Sequence, residues 1–205
     1  MVRIGNPGPY FNTIGGLAMT RRSTCRRLWL TVSVIVMMCI VSGCSVPFPV
    51  YSVSGRNVGT LRSIPNTIKL GQFTGEQKSV SCRLQPISPE GGGTFASYIR
   101  NAFNDEMIIA GVTPTEASIE MKGRVKDIDV DCGIISASWV IEMELTIGAQ
   151  PPFTVRTNRA FDGNYFGNIV LTRAYIAFVP TVQDFVNDVL MNPSFQAAAR
   201  AQKQK

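Results

Sequence analysis

The clearest periodic signal in the chain is the alternation of apolar and polar residues from Ala137 to Ile147. Alternation at every second position is typical of a strand with one buried face. Less regular alternating runs predict four further strands, over residues 67–74, 80–84, 117–132 and 153–161. Within 117–132 the apolar residues change from odd to even positions. In a regular strand, this change would turn the second set of apolar residues to the solvent-facing side. A β-bulge near Lys126 and Asp127 is therefore predicted, because one extra residue restores the buried face.

Two longer segments have the spacing of amphipathic helices. The first follows Thr94, a plausible N-cap, and ends at Gly111, a residue suited to a left-handed C-cap. The second carries apolar residues at steps of three and four that continue across Pro180, and Asn192-Pro193 stops it. An unbroken stripe predicts one kinked helix rather than two separate ones. The members of this stripe are Leu171, Tyr175, Phe178, Val182, Phe185 and Val189.

The order of these elements predicts an α+β fold, a mostly antiparallel sheet with two helices packed on one face. Residues 67–195 are enough for a single domain and too few for two. Residues 44–66 contain scattered Pro and Gly without a sustained period, so we expect a tether between an anchor and the domain. Residues 196–205 are expected to be a frayed tail.

The first 43 residues have the pattern of a leader. After Met19, the more ordinary start, a basic segment precedes an apolar run over residues 28–41, and Ser42-Gly43-Cys44 follows. A basic region, about 14 apolar residues and a small-residue exit form a secretory signal peptide. The run is short for a membrane span, which needs about 20 residues. An uncleaved anchor helix remains the alternative.

The four residues Val41-Ser42-Gly43-Cys44 resemble the lipobox of bacterial lipoproteins. The resemblance implies cleavage before Cys44 and attachment of lipid to this residue, so that acyl chains hold the protein in the membrane. Ser45, where inner-membrane lipoproteins have aspartate, implies export to the outer membrane, with the domain facing the periplasm. The alternative for Cys44 is an ordinary buried thiol.

The charge distribution argues against nucleic acid as a partner. Five arginines precede residue 28, whereas the chain from Cys44 onward has 15 basic and 14 acidic residues. The exported domain is thus nearly neutral and has no basic surface for phosphates. The chain also contains no histidine, which excludes imidazole catalysis and His-ligated metal sites. The sequence therefore predicts no catalytic, cofactor-binding or metal-binding residues and favours a protein that is not an enzyme.

Two acidic groups invite a catalytic or metal-binding interpretation. Asp127, Asp129 and Asp131 interleave with apolar residues as in a strand, whereas a calcium loop must curl around its ion. Glu142 and Glu144 alternate opposite the core positions of their own strand. We therefore expect both groups on solvated strand faces. The glycines at 91–93 give only a weak signal for anion binding, and a flexible loop is the better interpretation.

Two cysteines, Cys82 and Cys132, remain in the exported domain after the leader is removed. Both fall on the inward side of their predicted strands, and an oxidising compartment permits a disulfide. The sequence predicts that they pair.

The connection between the last strand and the last helix contains Tyr165 and Phe166 among Gly and Asn residues. Loops often carry binding residues, and exposed aromatic side chains are favoured contact anchors. These two residues are the candidate partner contact. The alternative is that both rings fold back over the end of the core.

The predicted architecture resembles the small helix-on-sheet lipoproteins that serve as accessory components of envelope machines in Gram-negative bacteria. This resemblance implies a non-catalytic lipoprotein that acts through contacts with an envelope protein, and it leaves the oligomeric state open. One alternative is a carrier of a lipid or small apolar ligand between the helices and the sheet. The other is an enzyme without histidine chemistry.

Overall fold

The computed structural model describes residues 47–64, 68–89, 92–115 and 118–201. The predicted leader, Cys44, Ser45 and the last four residues lie outside the described residues. The helices are α1 (Gly55–Ser63), α2 (Phe95–Ala110), α3 (Gly167–Met191) and α4 (Pro193–Ala201). The strands are β1 (Ile68–Thr74), β2 (Val80–Cys82), β3 (Gln85–Ile87), β4 (Ile119–Cys132), β5 (Ser136–Ile147) and β6 (Phe153–Asp162).

The predicted α+β class is confirmed, with a four-stranded sheet in the order β1-β4-β5-β6. Strands β4, β5 and β6 form an antiparallel meander, whereas β1 pairs with β4 in parallel. The small pair of β2 and β3 forms a second, two-stranded sheet. The pairing of β4 with β5 shifts between Val125 and Asp127, which confirms the predicted bulge.

The two long helices cover one face of the sheet and run in the same direction. Phe95 at the start of α2 contacts Phe178 near the middle of α3, and Phe103 contacts Phe185 further along both helices. Trp139 on β5 lies beneath them, where its ring packs on Phe178 and its indole N–H donates to the Ala174 carbonyl. Helix α2 begins with a capping box between Thr94 and Ser97 and ends at Gly111 in the left-handed conformation. The predicted caps of this helix are therefore confirmed.

The domain has two distinct ends. At one end, which we call the tip end, lie the β2–β3 turn, the β4–β5 turn and the loop from β6 to α3. At the other, which we call the base, lie the C-terminal ends of α2 and α3. Strands β4 and β6 both run toward the end of the domain where α3 begins. The β4–β5 turn and the loop from β6 to α3 therefore lie at that same end.

The segment predicted as part of a tether is instead folded onto the helices. We call residues 47–54 the strap. Phe48 in the strap is buried among Phe95, Tyr98, Tyr175 and Phe178. Helix α1 then packs on α2 and α3 as a third layer, with Asn57, Val58 and Leu61 buried. The segment is not a tether because tertiary burial of a few apolar residues stabilises a helix that local propensity does not favour.

The C-terminal segment also differs from its prediction. Residues 193–201 form α4, and Phe195, Ala198 and Ala199 are buried. The expected frayed tail over 196–205 is thus mostly a docked helix. Its alanines supply helix propensity, while Phe195 anchors the helix in the core.

Helix α3 is long and apolar enough to cross a membrane by length and composition alone. Half of its most apolar window is buried inside the domain. Residues such as Val182, Phe185 and Val189 pack in the core with no exposed surface. We therefore interpret α3 as the central helix of the folded domain.

Candidate functional site

The two candidate contact residues are exposed in the structure. Tyr165 has 74% and Phe166 62% of its surface accessible, and the two rings pack edge to face with centroids 5.7 Å apart. Phe166 is the N-cap of α3. The rings support each other but do not fold back over the core, so the alternative drawn from the sequence is wrong.

Two arginines hold the backbone of this loop from different sides. The Arg83 guanidinium donates to the carbonyls of Tyr165 at 2.6 Å and Cys132 at 2.9 Å. Arg173 donates to the carbonyls of Gly163 at 2.7 Å and Asp162 at 3.3 Å. Hydrogen bonds from a charged donor are stronger than neutral ones. The loop that presents the two rings is therefore fixed to both the β2–β3 turn and α3.

The same loop is tied to the β4–β5 turn through its backbone. The Gly163 N–H donates to the Ile135 carbonyl, and the Asn164 N–H donates to the Gly133 carbonyl. A Cβ atom at Gly163 would lie 2.6 Å from the Gly133 oxygen, a distance at which the backbone must move. Glycine is thus required at 163 because the two chains approach so closely.

Neighbouring turns add more exposed apolar side chains to this end of the domain. Ile134 and Ile135 project from the β4–β5 turn, Ile169 from the first turn of α3, and Leu84 from the β2–β3 turn. Leu84 is 97% exposed and Ile135 92%. We call the set Leu84, Ile134, Ile135, Tyr165, Phe166 and Ile169 the apolar tip. Clustered exposed apolar residues mark contact sites more often than scattered ones do.

The β2–β3 turn that carries Leu84 has an unusual backbone. Both central residues have positive φ, 46° at Arg83 and 70° at Leu84. Two-residue hairpin turns of this kind normally contain Asn and Gly, since a larger side chain is disfavoured there. The turn is held by the Arg83 hydrogen bonds, and by the disulfide between Cys82 and Cys132 next to it. The predicted cysteine pair is thus joined at the tip end.

Sequence reasoning did not single out Glu106, a fully buried carboxylate beneath the strap. Its Oε1 accepts hydrogen bonds from the Tyr51 hydroxyl at 2.6 Å, the Ser54 N–H at 2.8 Å and the Asn57 amide at 3.3 Å. Burial, followed by the hydrogen bond and charge of Glu106, raises the pKa of Tyr51. The position of a glutamate within the apolar stripe of α2 could have revealed this contact. Its role is to fasten the strap.

The two acidic groups noted in the sequence do not form a reactive site. The three aspartates at 127, 129 and 131 lie on the exposed face of β4, as expected. Glu142 pairs with Arg156 at 3.0 Å and Glu144 with Arg124 at 2.9 Å, both across neighbouring strands. Exposed pairs of this kind contribute little to stability. Within the described ranges, no cluster of three His, Cys, Asp or Glu side chains could hold a metal ion.

Two spaces among the described residues bear on the alternative of a carried ligand. An apolar cavity between α1, α2 and the start of β1 has a volume of about 20 Å³. Such a space accommodates about one water molecule and no acyl chain. A larger groove of about 270 Å³ lies beside the strap, but it is open to solvent and lined partly by Ser97, Asn101 and Asp105. The geometry thus favours a contact surface over a carrier of apolar ligands.

Comparisons with known proteins give a few weak structural likenesses. No family model matches the chain, and no curated protein matches it. A Caulobacter crescentus protein is similar in structure, with 10% identity, a TM-score of 0.41, and coverage of 74% of this chain and 98% of that one. Protein XCC0632 of Xanthomonas campestris, of the DUF330 family, has 10% identity, a TM-score of 0.41, and coverage of 70% and 92%. A minor lipoprotein from Acinetobacter baumannii has 8% identity, a TM-score of 0.41, and coverage of 65% and 94%. At these scores the likenesses carry no functional argument.

Proposed function

We propose that this chain is a non-catalytic lipoprotein of the bacterial envelope that acts through contacts of its surface, including contacts with an envelope protein. Lipid on Cys44 holds it to the outer membrane, and the domain faces the periplasm. The leader pattern and the residues Val41-Ser42-Gly43-Cys44 support the anchor. Ser45 supports the outer rather than the inner membrane.

One observation supports the contact role: the side chains of the apolar tip are exposed, and hydrogen bonds to the backbone of the loop hold them there. A free loop could bury its two rings by folding back over the core. Hydrogen bonds from Arg83 and Arg173 instead hold this loop in the conformation that exposes the rings. The nearly neutral domain gives long-range charge little part in selecting a partner. Apolar anchors supported by short-range polar contacts are the remaining means of recognition.

Metabolic labelling with a palmitate analogue tests the anchor. The wild-type chain is expected to carry the label, and Cys44→Ala to lose it. Cys25→Ala is the matched control, because it removes a leader cysteine that lies outside the lipobox pattern and should leave the label unchanged. Equal labelling of wild type and Cys44→Ala would exclude lipidation at this residue.

Fractionation of the two membranes tests the location. We expect the wild type in the outer membrane and Ser45→Asp in the inner membrane, with Ser45→Thr as the matched control. In vivo crosslinking with mass spectrometry then identifies protein partners, using photo-crosslinkers at the tip, at the base and on the open sheet face. Absence of any specific protein capture from all three places would contradict the role in protein contact.

A further inference from the structure

We propose that the apolar tip lies in the interface of the lipid bilayer that holds acylated Cys44. The inference rests on the proposed anchor and deepens the contact role, because it names the bilayer as the partner of this surface. Phe48 contacts Tyr175 and Phe178 in the first half of α3, and the chain then runs past Glu106 toward the base.

The length of chain between anchor and domain limits their separation. Cys44 precedes Phe48 by four residues. Four extended residues span at most about 14 Å. Phe48 is itself fixed in the aromatic cluster, so a lipid on Cys44 holds this part of α3 close to the membrane surface. The separation that a long tether would give is thereby excluded.

Two exposed isoleucines lie on α3 between the anchoring point and the tip. Ile176, next to the Phe48 contact Tyr175, is 68% exposed, and Ile169 lies seven residues earlier on the same side of α3. Residues seven apart on a helix share a face. Phe166 and Tyr165 follow where the helix begins. The exposed apolar residues of α3 thus lie on the side of the helix between the anchoring point and the loops, with Thr172 and Arg173 between the two isoleucines.

The backbone of the tip is suited to a medium with little water. Carbonyl groups that lose water need other donors, and an unpaired group in an apolar medium is costly. The carbonyls of Cys132, Gly133, Ile135, Gly163 and Tyr165 all accept hydrogen bonds from other parts of the tip end. The apolar side chains can therefore enter the interface without leaving these carbonyls unpaired.

The anchor also removes the need for a high intrinsic affinity. A surface attached to the bilayer binds as if at high local concentration, so a weak contact becomes populated. Tyr is enriched at membrane interfaces, where its ring meets lipid and its hydroxyl meets water, and Phe supplies apolar surface to interfacial segments. A protein partner for the same residues is the competing outcome of the test below.

Fluorescence quenching by brominated lipids tests the proposal with the full lipidated chain. The chain is reconstituted in vesicles of phosphatidylethanolamine and phosphatidylglycerol brominated near the top of the acyl chains. Phe166→Trp places a reporter in the tip, and Ile108→Trp is the matched control at the base, since the two native residues have similar exposure, 62% and 63%. Trp139 is fully buried and supplies a constant background measured in the wild type.

We expect Phe166→Trp to lose most of its added emission and Ile108→Trp to keep it, because apolar side chains at an interface lie about 5–10 Å into the headgroup and acyl boundary. Equal quenching at both positions, or none at either while the protein stays with the vesicles, would overturn the inference and leave the anchor intact. A chain that carries no lipid and separates from the vesicles would overturn both proposals. Capture of a protein by a photo-crosslinker at 166, with no quenching there, would assign the tip to a protein partner instead.

Discussion

Phe178 and Phe166 lie twelve residues apart on or beside the same helix, yet they have opposite environments. Phe178 is fully buried and contacts the rings of Phe48, Phe95 and Trp139. Phe166 is mostly exposed and has only Tyr165 as a ring partner among the described residues. In the core, the burial of apolar side chains drives folding, and the backbone adopts the conformation that this packing requires. At the tip, hydrogen bonds fix the backbone and leave the apolar side chains available for binding.

The largest difference between the two regions is expected for Trp139→Ala. Removing a fully buried indole leaves a cavity and should lower the free energy of unfolding by about 4–5 kcal/mol. Urea unfolding followed by far-ultraviolet circular dichroism measures this loss. Phe166→Ala is the comparison variant and should change stability by less than about 0.5 kcal/mol. Similar losses in the two variants would show that the tip belongs to the core.

Removal of the disulfide should have the next largest effect. The bond between Cys82 and Cys132 closes a loop of 50 residues, so Cys82→Ser with Cys132→Ser should cost about 4 kcal/mol by the chain-entropy account. Urea unfolding of the exported protein with and without reductant measures the cost. Alkylation provides the control, because the unfolded, unreduced wild type should offer no free thiol at either position. Two freely alkylated cysteines would disprove the bond.

A smaller effect is expected where the strap is fastened. Tyr51→Phe removes the hydrogen bond to the buried Glu106 carboxylate and should cost about 2 kcal/mol at neutral pH. Tyr165→Phe, which changes an exposed ring in the same way, is the matched control and should change stability little. A cost in Tyr165→Phe equal to that in Tyr51→Phe would contradict the assignment.

The pH dependence of Tyr51→Phe gives a second measure. Burial raises the pKa of Tyr51 above its ordinary value of 10.0. The folded protein therefore keeps this proton while the unfolded chain loses it, so stability is retained below about pH 10 and falls as the pH rises further. Urea midpoints measured across this range should fall less steeply in Tyr51→Phe than in the wild type. Parallel slopes would show that Tyr51 does not contribute.

The smallest effect on folding is expected at the tip itself. Tyr165→Ser with Phe166→Ser should leave the free energy of unfolding within about 0.5 kcal/mol of the wild type, because exposed rings contribute little. The same variant should greatly reduce crosslinking to photoactivatable phospholipids in reconstituted vesicles. Ile108→Ser with Ile109→Ser changes two exposed apolar residues at the base and should leave lipid crosslinking unchanged. A large fall in the thermal midpoint of the tip variant would remove the distinction between the regions.

Local patterns were sufficient to predict features that depend on neighbouring residues. The change of parity around Lys126 predicted the bulge in β4, and Thr94 and Gly111 predicted the ends of α2. In β1, however, strict alternation fails, because Phe73 is buried and Gln72 is exposed. The pairing of β1 with β4 shifts between Leu70 and Phe73, and only the partner strand reveals that irregularity.

The strap and the tip could not be derived in full because distant residues decide them. Phe48 is buried by α2 and α3, and the Ser52 carbonyl accepts a hydrogen bond from Gln183, 131 positions later. Tyr165 and Phe166 were identified from the loop composition, but their exposure depends on Arg83, which is 82 positions away from Tyr165. Leu84 gave an alternating signal for a strand and instead occupies a tight turn. Such contacts carry no local periodicity.

The contact between strap and α3 also sets an order of events. Gln183 in α3 donates to the Ser52 carbonyl of the strap, and Asn57 in α1 donates to the Gln183 carbonyl. Contacts so far apart in sequence form only after the intervening chain is present and its loop has closed. In a chain that emerges from its N-terminal end, the strap can therefore close only after α3 has followed.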